Sequence, residues 1–342
     1  MQGEAGGLRR GRRHDTRAGA AGGQQAGRRA HDRGLRAGPE PVKPGPIWVS
    51  GATGLLGGRL VPRLRRDDQA LRLVSRSARP DQRPEHIRWD GVRADPADLR
   101  STSAALHLSG EPVFGGLPTA ARRRRIWNSR IDSTRALVEA IGDLPADERP
   151  DTLVCASAVG FYGDRGDEFL DEQSPPGEGF LAELCTAWER EAAQVEGLGV
   201  RRVSLRFGIV LAREGGALAL MARAFRLGLG GRLGSGRQWF PWVHIDDAVE
   251  LTLLALSNEE LRGPLNAVSP NPVTNLDLTA NLGQVLRRPT LLAAPAFAVR
   301  AALGPLANEL LGSKRVRGAA AGAAGATWRH GDLDGALTAE LA

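Results

Sequence analysis

The stretch "CASAVGFYGDRGD", residues 155–167, sets a serine and the chain's single tyrosine close together in a glycine-rich setting. A hydroxyl at the end of an apolar run can align a substrate oxygen, and a phenol just beyond it can trade a proton. Ser157 and Tyr162 are therefore the candidate catalytic groups. Tyr162 has a second reading, in which its ring packs under the following loop and its hydroxyl is simply hydrogen-bonded. Asp164, Asp167 and Glu168 are alternative acids, although acidic loop residues are mostly solvated. Further along, Arg237, Trp239 and Trp242 share one loop. An arginine among flat rings suits a planar or phosphorylated ligand through stacking and charge pairing. Trp242 reads as core, while Trp239 is open between core and, with Arg237, a substrate contact. The six histidines are scattered without metal-ligand spacing, so no metal site is expected.

A second chemistry-bearing stretch lies upstream. "PIWVSGATGLLGGRLVPRLRR" reads as a strand, a glycine-rich turn and a helix, and "LRLVS" follows as a second strand. That order turns a weak glycine motif into a dinucleotide-site signal. Gly51 permits the tight turn, Gly54 lets backbone approach a pyrophosphate, and Gly57 lets helix and strand pack closely. Thr53, Leu55 and Leu56 fill the same turn, whose N–H groups and helix N-terminus attract phosphate. The second strand ends in Ser75-Arg76, with Arg79 beyond. An NAD site usually carries an acid here, whereas arginine suits the 2′-phosphate of NADP. "HIRWDG" predicts a third strand with Asp90 near the adenine. "AALHLSGEP" predicts a fourth, with Ser109-Gly110 at its carboxyl lip. "TAARRRRIWNSRIDSTRALVEAI" predicts a long helix whose stripe is Ile126, Ile131, Leu137, Val138 and Ile141. Its Arg125 and Arg130 are candidate phosphate contacts. "DTLVCASAVG" predicts the fifth strand and "LRFGIVL" the sixth. A helix follows, and "VHIDD" then leads into a second helix capped by aspartate. The stretch from "NLDLTANLGQVL" to "LANELL" reads as helices covering the cleft.

The totals bound these readings. The 342 residues are 42% hydrophobic, enough for a real core, and no run of eighteen apolar residues suggests a membrane span. Cys155 and Cys185 are the only cysteines and do not form a CxxC pair, which argues against a disulfide scaffold. The net charge of +7 invites a nucleic-acid reading, but ten basic and four acidic residues fall within residues 1–45. The remainder, with 36 basic and 35 acidic residues, is nearly neutral. The N-terminal stretch is Arg/Gly/Ala-rich and too poor in large apolar residues to offset its ordering entropy, so it is expected to be a disordered tail.

With these motifs in view, the chain resembles the extended short-chain dehydrogenase/reductase superfamily, and within it the "epimerase family protein" branch. The carrying motifs are "GATGLLG", "LVSR", "LSGEP", "SRIDSTRALVEAI", "SAVGFYGDRGDE", "GFLAELCTAWE", "LRFGIVL", "FRLGLGGRLGSGRQWFPWVHIDD", "GPLNAVSPNPVTN" and "LLGSKRV", in family order from about residue 47 to 316. The resemblance implies cofactor contacts at Ser75, Arg76, Leu108, Ser109, Arg130 and Val210, and a weaker one near Arg125. It also exposes a departure. Most reductases of the superfamily pair the strand serine with Tyr-x-x-x-Lys on the next helix, where the lysine holds the ribose and lowers the phenol pKa. Here the next helix is "FLAELCTAWEREAAQ". Aligning Trp188-Glu189 with the usual helix puts Phe180 or Leu181 at the tyrosine position and Leu184 or Cys185 at the lysine position. The chain's only lysines, Lys43 and Lys314, do not lie four residues after a tyrosine.

The expected fold is α/β, a Rossmann-like doubly wound parallel sheet with a smaller, mainly helical C-terminal substrate region. Residues 1–45 are the tail, 46–215 the NADP-binding domain, and 216–342 the substrate-side segments, interleaved with it. The expected function is an NADP-dependent, atypical oxidoreductase or epimerase-like enzyme acting on an unidentified carbonyl or hydroxyl compound, with nucleotide-linked compounds among the candidates. The alternative is a non-catalytic NADPH-binding redox sensor. A cytoplasmic protein with a small-molecule substrate, and with no nucleic-acid or membrane partner, completes the expectation.

Overall fold

The computed structural model describes residues 45–77, 85–114, 116 and 119–342. Apart from Gly45, the expected tail lies outside the described residues, as does Arg79. Seven strands form one parallel sheet: β1 (Ile47–Ser50), β2 (Leu71–Ser75), β3 (His86–Arg88), β4 (Ala104–His107), β5 (Thr152–Ala158), β6 (Arg201–Phe207) and β7 (Gly263–Ala267). Their order is β7-β6-β5-β4-β1-β2-β3, as expected of a doubly wound sheet. The chain turns from one direction of winding to the other between β1 and β4. Ligands gather outside the carboxyl ends of the strands at such a point.

The central strands are apolar on both faces because both are covered by helices. Alternation shows which residue faces which layer. Trp48, Ala105, Leu153 and Cys155 join the core under α2 (Ala120–Gly142) and α3 (Phe180–Ala193). Ile47, Val49, Leu106 and Val154 join the core under α1 (Leu55–Arg66) and α5 (Ile245–Ser257). The helix α4 (Gly216–Arg226) lies between these in sequence. The whole apolar stripe expected for α2 is buried. Both cysteines are buried and free, and burial pushes each thiol up to about 12.

Three local expectations are corrected. "LRFGIVL" is not one strand. It breaks at Gly208, where a Cβ would come within 3.1 Å of Pro241 and Trp242 backbone. Ile209–Leu211 then leaves the sheet and pairs with Trp242–His244. The cap of α5 is His244, whose Nδ1 accepts the Asp246 N–H at 3.1 Å. Asp247 instead accepts the backbone N–H groups of Arg329 and His330. The later helices do not simply cover the cleft. α6 (Asn275–Leu286) packs with α4 and the C-terminal helix Leu333–Leu341 around Leu218, Phe225, Leu282 and Leu337.

Candidate functional site

A cleft of about 580 Å³ opens at the carboxyl ends of β1 to β4. One wall is the turn after β1, with Gly51, Thr53 and Gly54. Gly51 has φ +74, and a Cβ there would come within 2.8 Å of the Leu108 carbonyl. A Cβ on Gly57 would meet the Gly51 oxygen at 2.3 Å. Both glycines are therefore obligatory, one for its left-handed backbone and the other for close approach. Gly54 caps α1 without a side-chain bond, so the first-turn N–H groups of α1 have no capping side chain.

Ser75 and Arg76 border the cleft beyond β2, Asp90 beyond β3, and Leu108, Ser109 and Gly110 beyond β4. Leu55, Leu56, Gly57 and Val210 support this wall without lining it. Leu56 and Val210 pack, half-buried, against the core on the α1 side. Leu55 packs against Gly215 and Gly216. Arg125 is exposed on α2 and does not line the cleft. Arg130 is turned inward. Its Nη1 donates to the Glu111 and Ile126 carbonyls, and its guanidinium packs under Gly110 and over the Trp188 ring. Neither arginine is thus brought to the cleft, because helix position leaves one outside and carbonyl partners hold the other beneath the loop.

Sequence reasoning missed the floor and the far wall. Trp89 lies edge-on against Trp48 at 5.4 Å and contributes its ring to the cleft. Asn128, Ser129, Asp132 and Ser133 of α2 line the opposite side. Their spacing on α2 was the available signal. Beneath them runs a buried polar chain. Ser133 Oγ donates to the Ser129 carbonyl at 2.7 Å and faces His107 Nε2 at 3.1 Å. The Nε2 nitrogen therefore carries the proton, and Nδ1 accepts from Ser50 Oγ at 2.6 Å. Burial, with Arg130 nearby, lowers the His107 pKa to about 4, so the ring is neutral.

The edge beside the cleft is built differently. Arg206 on β6 makes a two-pronged ion pair with Glu189 of α3, both contacts at 2.8 Å. Ser157 Oγ donates to the same carboxylate at 2.7 Å. Arg206 Nη1 donates to the Tyr162 hydroxyl, which faces Asn266 Oδ1 at 2.7 Å and the Asp171 carbonyl at 2.9 Å. Tyr162 is 0% exposed, and burial pushes its phenol up to about 12 against the opposing pull of Arg206. Of the two readings of Tyr162, this geometry favours the packed and satisfied ring. Both hydroxyls are hydrogen-bonded inside this network, and neither lines the cleft.

The substrate-side expectations are also redistributed. Trp239 Nε1 donates to Asp167 at 2.8 Å, and the Arg315 guanidinium lies between the Trp239 and Phe169 rings at 4.1 and 3.8 Å. The stacking partner of Trp239 is thus supplied by the chain itself. Asp164 accepts the Ser313 N–H, and Glu168 pairs with Arg165. All three loop acids are therefore engaged within the protein. Arg237 is exposed. Trp242 is buried, as expected. His244, Asp246 and His330 could gather about a metal. His244 Nδ1 is already taken by a backbone N–H, and its Nε2 faces Glu340 at 3.2 Å.

Comparison with known proteins bears on the whole arrangement. The family model "NAD dependent epimerase/dehydratase family" matches residues 47–267, and "Domain of unknown function (DUF1731)" matches residues 294–340. The chain is 38% identical over 282 residues to "Epimerase family protein SDR39U1 homolog, chloroplastic" of Arabidopsis thaliana, covering 79% of each chain. The crystal structure of human epimerase family protein SDR39U1 with NADPH superposes with a TM-score of 0.79 at 32% identity, covering 86% of this chain and 99% of that one. The nucleoside-diphosphate sugar epimerase from Corynebacterium glutamicum gives a TM-score of 0.72 at 32% identity, over 87% of this chain and 58% of that one.

Proposed function

The chain belongs to the NAD dependent epimerase/dehydratase family, and from that premise we propose that it is an NADP(H)-dependent, atypical oxidoreductase or epimerase-like enzyme. Its substrate would be a nucleotide-linked carbonyl or hydroxyl compound. The observation that carries the cofactor reading is the end of β2. Ser75 and Arg76 border the cleft there, and among the described residues Ser75–Ser77 at the end of β2 no carboxylate stands where one would receive a ribose 2′-hydroxyl. The NADPH in the human relative's crystal structure supports the same reading.

The residues fit the group. The turn from Thr53 to Leu56 and the first N–H groups of α1 would hold the pyrophosphate. Trp89 and Asp90 would receive the adenine, and Arg76 the 2′-phosphate. Leu108, Ser109, Gly110 and Val210 would flank the path toward β5. When bound, the nicotinamide supplies reversible hydride exchange. Arg237 is retained as a substrate contact, because it is exposed. The nucleotide-linked substrate rests on the Corynebacterium relative's being a nucleoside-diphosphate sugar epimerase. Two unpaired thiols suit a reducing compartment, so the reading is of a cytoplasmic protein.

A second reading, a regulator that binds NADPH without turning over substrate, draws on the closed Ser157–Glu189–Arg206–Tyr162 network. One experiment separates the two. NADPH and NADH affinities are measured by nicotinamide fluorescence, and the NADP⁺-loaded chain is then mixed with a panel of nucleotide sugars while reduced nicotinamide is followed by absorbance. Tight NADPH binding with turnover of a panel member supports the enzyme. Tight binding with no turnover across the panel favours the regulator, and equal affinity for the two cofactors sinks the Arg76 assignment.

A further inference from the structure

Lys314 is the only lysine among the described residues. It lies in the "LLGSKRV" segment, which the nucleotide cleft does not use. Its side chain is 3% exposed, and its Nζ makes no hydrogen bond among the described residues. It faces Glu309 Oε2 at 3.4 Å, and Glu309 itself is 15% exposed. Burying such a pair costs several kcal/mol in desolvation, and an apolar pair of like volume often serves stability as well. The pair therefore calls for an account beyond packing.

Its position supplies one. A Cβ built on Gly160 would lie 3.3 Å from Glu309 Oε2 and 3.1 Å from Leu181 Cβ. Gly160 follows β5 at the carboxyl edge of the sheet, and the glycine leaves the carboxylate its room. Leu181 is in the first turn of α3, at one of the two positions aligned with the missing tyrosine. The charge of Glu309 also reaches Cys185, at one of the two positions aligned with the missing lysine. The Glu309 carboxylate, paired with Lys314, thus lies beside the part of α3 aligned with the missing pair. The hydroxyls nearest in sequence, Ser157 and Tyr162, are locked in the Arg206 network.

We propose that Glu309 is the group that exchanges a proton with the substrate, and that Lys314 is its positioning residue. This rests on the reading of the chain as an NADP-dependent enzyme. In the oxidising direction Glu309 Oε2 would take the proton of the substrate O–H as its electron pair forms the carbonyl, and a bound NADP⁺ would supply the acceptor for the hydride released by the carbon. In the reducing direction Glu309 returns the proton to the new alkoxide oxygen. Lys314 holds the carboxylate toward Gly160.

The test needs no known substrate. The full chain is treated with a water-soluble carbodiimide and an amine tag, and labelled carboxylates are mapped by mass spectrometry. Labelling is compared for the free chain, with saturating NADPH, and with 2′-phospho-ADP-ribose, which lacks the nicotinamide. Glu309 should label in the free chain and lose about nine-tenths of that labelling with NADPH, as expected for a group covered by a bound ligand. It should keep its labelling with 2′-phospho-ADP-ribose. Glu309→Gln should retain the wild-type NADPH affinity while lowering the melting temperature, because Lys314 loses its partner, and Lys314→Met should weaken the protection while NADPH still binds. On a substrate that the wild type turns over, Glu309→Gln should slow turnover by about 10²–10⁴, and Glu309→Asp should recover part of it. A Glu309 that never labels, or labels equally with NADPH bound, overturns the proposal, and because Glu309→Gln breaks a buried ion pair, the labelling of the wild-type chain decides it whether or not that variant folds. Failure to bind NADPH at all would instead remove the cofactor reading on which it stands, and the separate fluorescence titration tells these outcomes apart.

Discussion

The carboxyl edge of the sheet has two halves built on opposite principles. At β1 to β4 the wall is largely backbone and small side chains, with an open volume in front of it. At β5 and β6 side chains fill the space, and a buried ion pair ties Ser157 and Tyr162 to α3. Preformed backbone donors can receive a ligand without rearranging. The sealed network has already used its polar groups on itself. Recognition and chemistry therefore need not come from neighbouring residues.

The contrast breaks most sharply at Gly57. Gly57→Ala puts a methyl 2.3 Å from the Gly51 carbonyl oxygen, and the only relief is to move α1 away from the turn. NADPH binding should fall by about a hundredfold or more, roughly 3 kcal/mol, read by fluorescence titration. A variant that binds normally would show that the cleft is not built on that close approach.

The opposite half should respond in stability and leave the cofactor alone. Arg206→Met leaves the Glu189 carboxylate buried without its partner, a loss of about 3–5 kcal/mol in chemical denaturation. Tyr162→Phe should cost about 1–3 kcal/mol, because Asn266 and Arg206 each lose a partner. If the folded Tyr162→Phe protein lost turnover but not stability, the phenol would be catalytic and the division between the halves wrong.

A pH series sharpens the same division. His107, beneath the cleft, titrates at about 4 when folded and near the ordinary histidine value of about 6.5 when unfolded. Its neutral form is the one the fold accepts. Its contribution is fully present above about pH 6.5, falls as the pH drops and levels off below about 4, a change on the order of 3 kcal/mol. His107→Asn should flatten that part of the curve of melting temperature against pH. An unchanged slope would remove His107 as the cause.

The smallest effect is expected at the rim. Arg76 is exposed, so Arg76→Ala should weaken NADPH binding by about tenfold, near 1.4 kcal/mol, and leave NADH unchanged. Equal losses for the two cofactors would detach Arg76 from the 2′-phosphate.

What could be read from the sequence follows the same division. The glycine turn, the strand ends at Ser75, Asp90 and Ser109, and the long helix α2 are local patterns, in which spacing alone fixes geometry. Trp89 was hidden because a tryptophan next to a strand end looks like core, and only the sheet's fourth strand shows what it faces. Arg130 holds the expected helix position, while the direction of its side chain is set partly by the Glu111 carbonyl of another segment. Tyr162 was undecidable for the same reason: its partners Asn266 and Arg206 lie far along the chain. The pairing of Glu309 with Gly160 joins residues still farther apart, and no local motif announces it.

The two sealed thiols carry one more consequence. Cys155 and Cys185 are buried, and both are held overwhelmingly protonated at neutral pH. Peroxide and disulfide exchange act on exposed thiolate, so neither cysteine gives this chain a means of registering an oxidant directly. If it reports the oxidation state of the cell at all, the signal must be the identity of the dinucleotide it holds. Such a protein would answer to the ratio of reduced to oxidised cofactor rather than to peroxide acting on its own thiols.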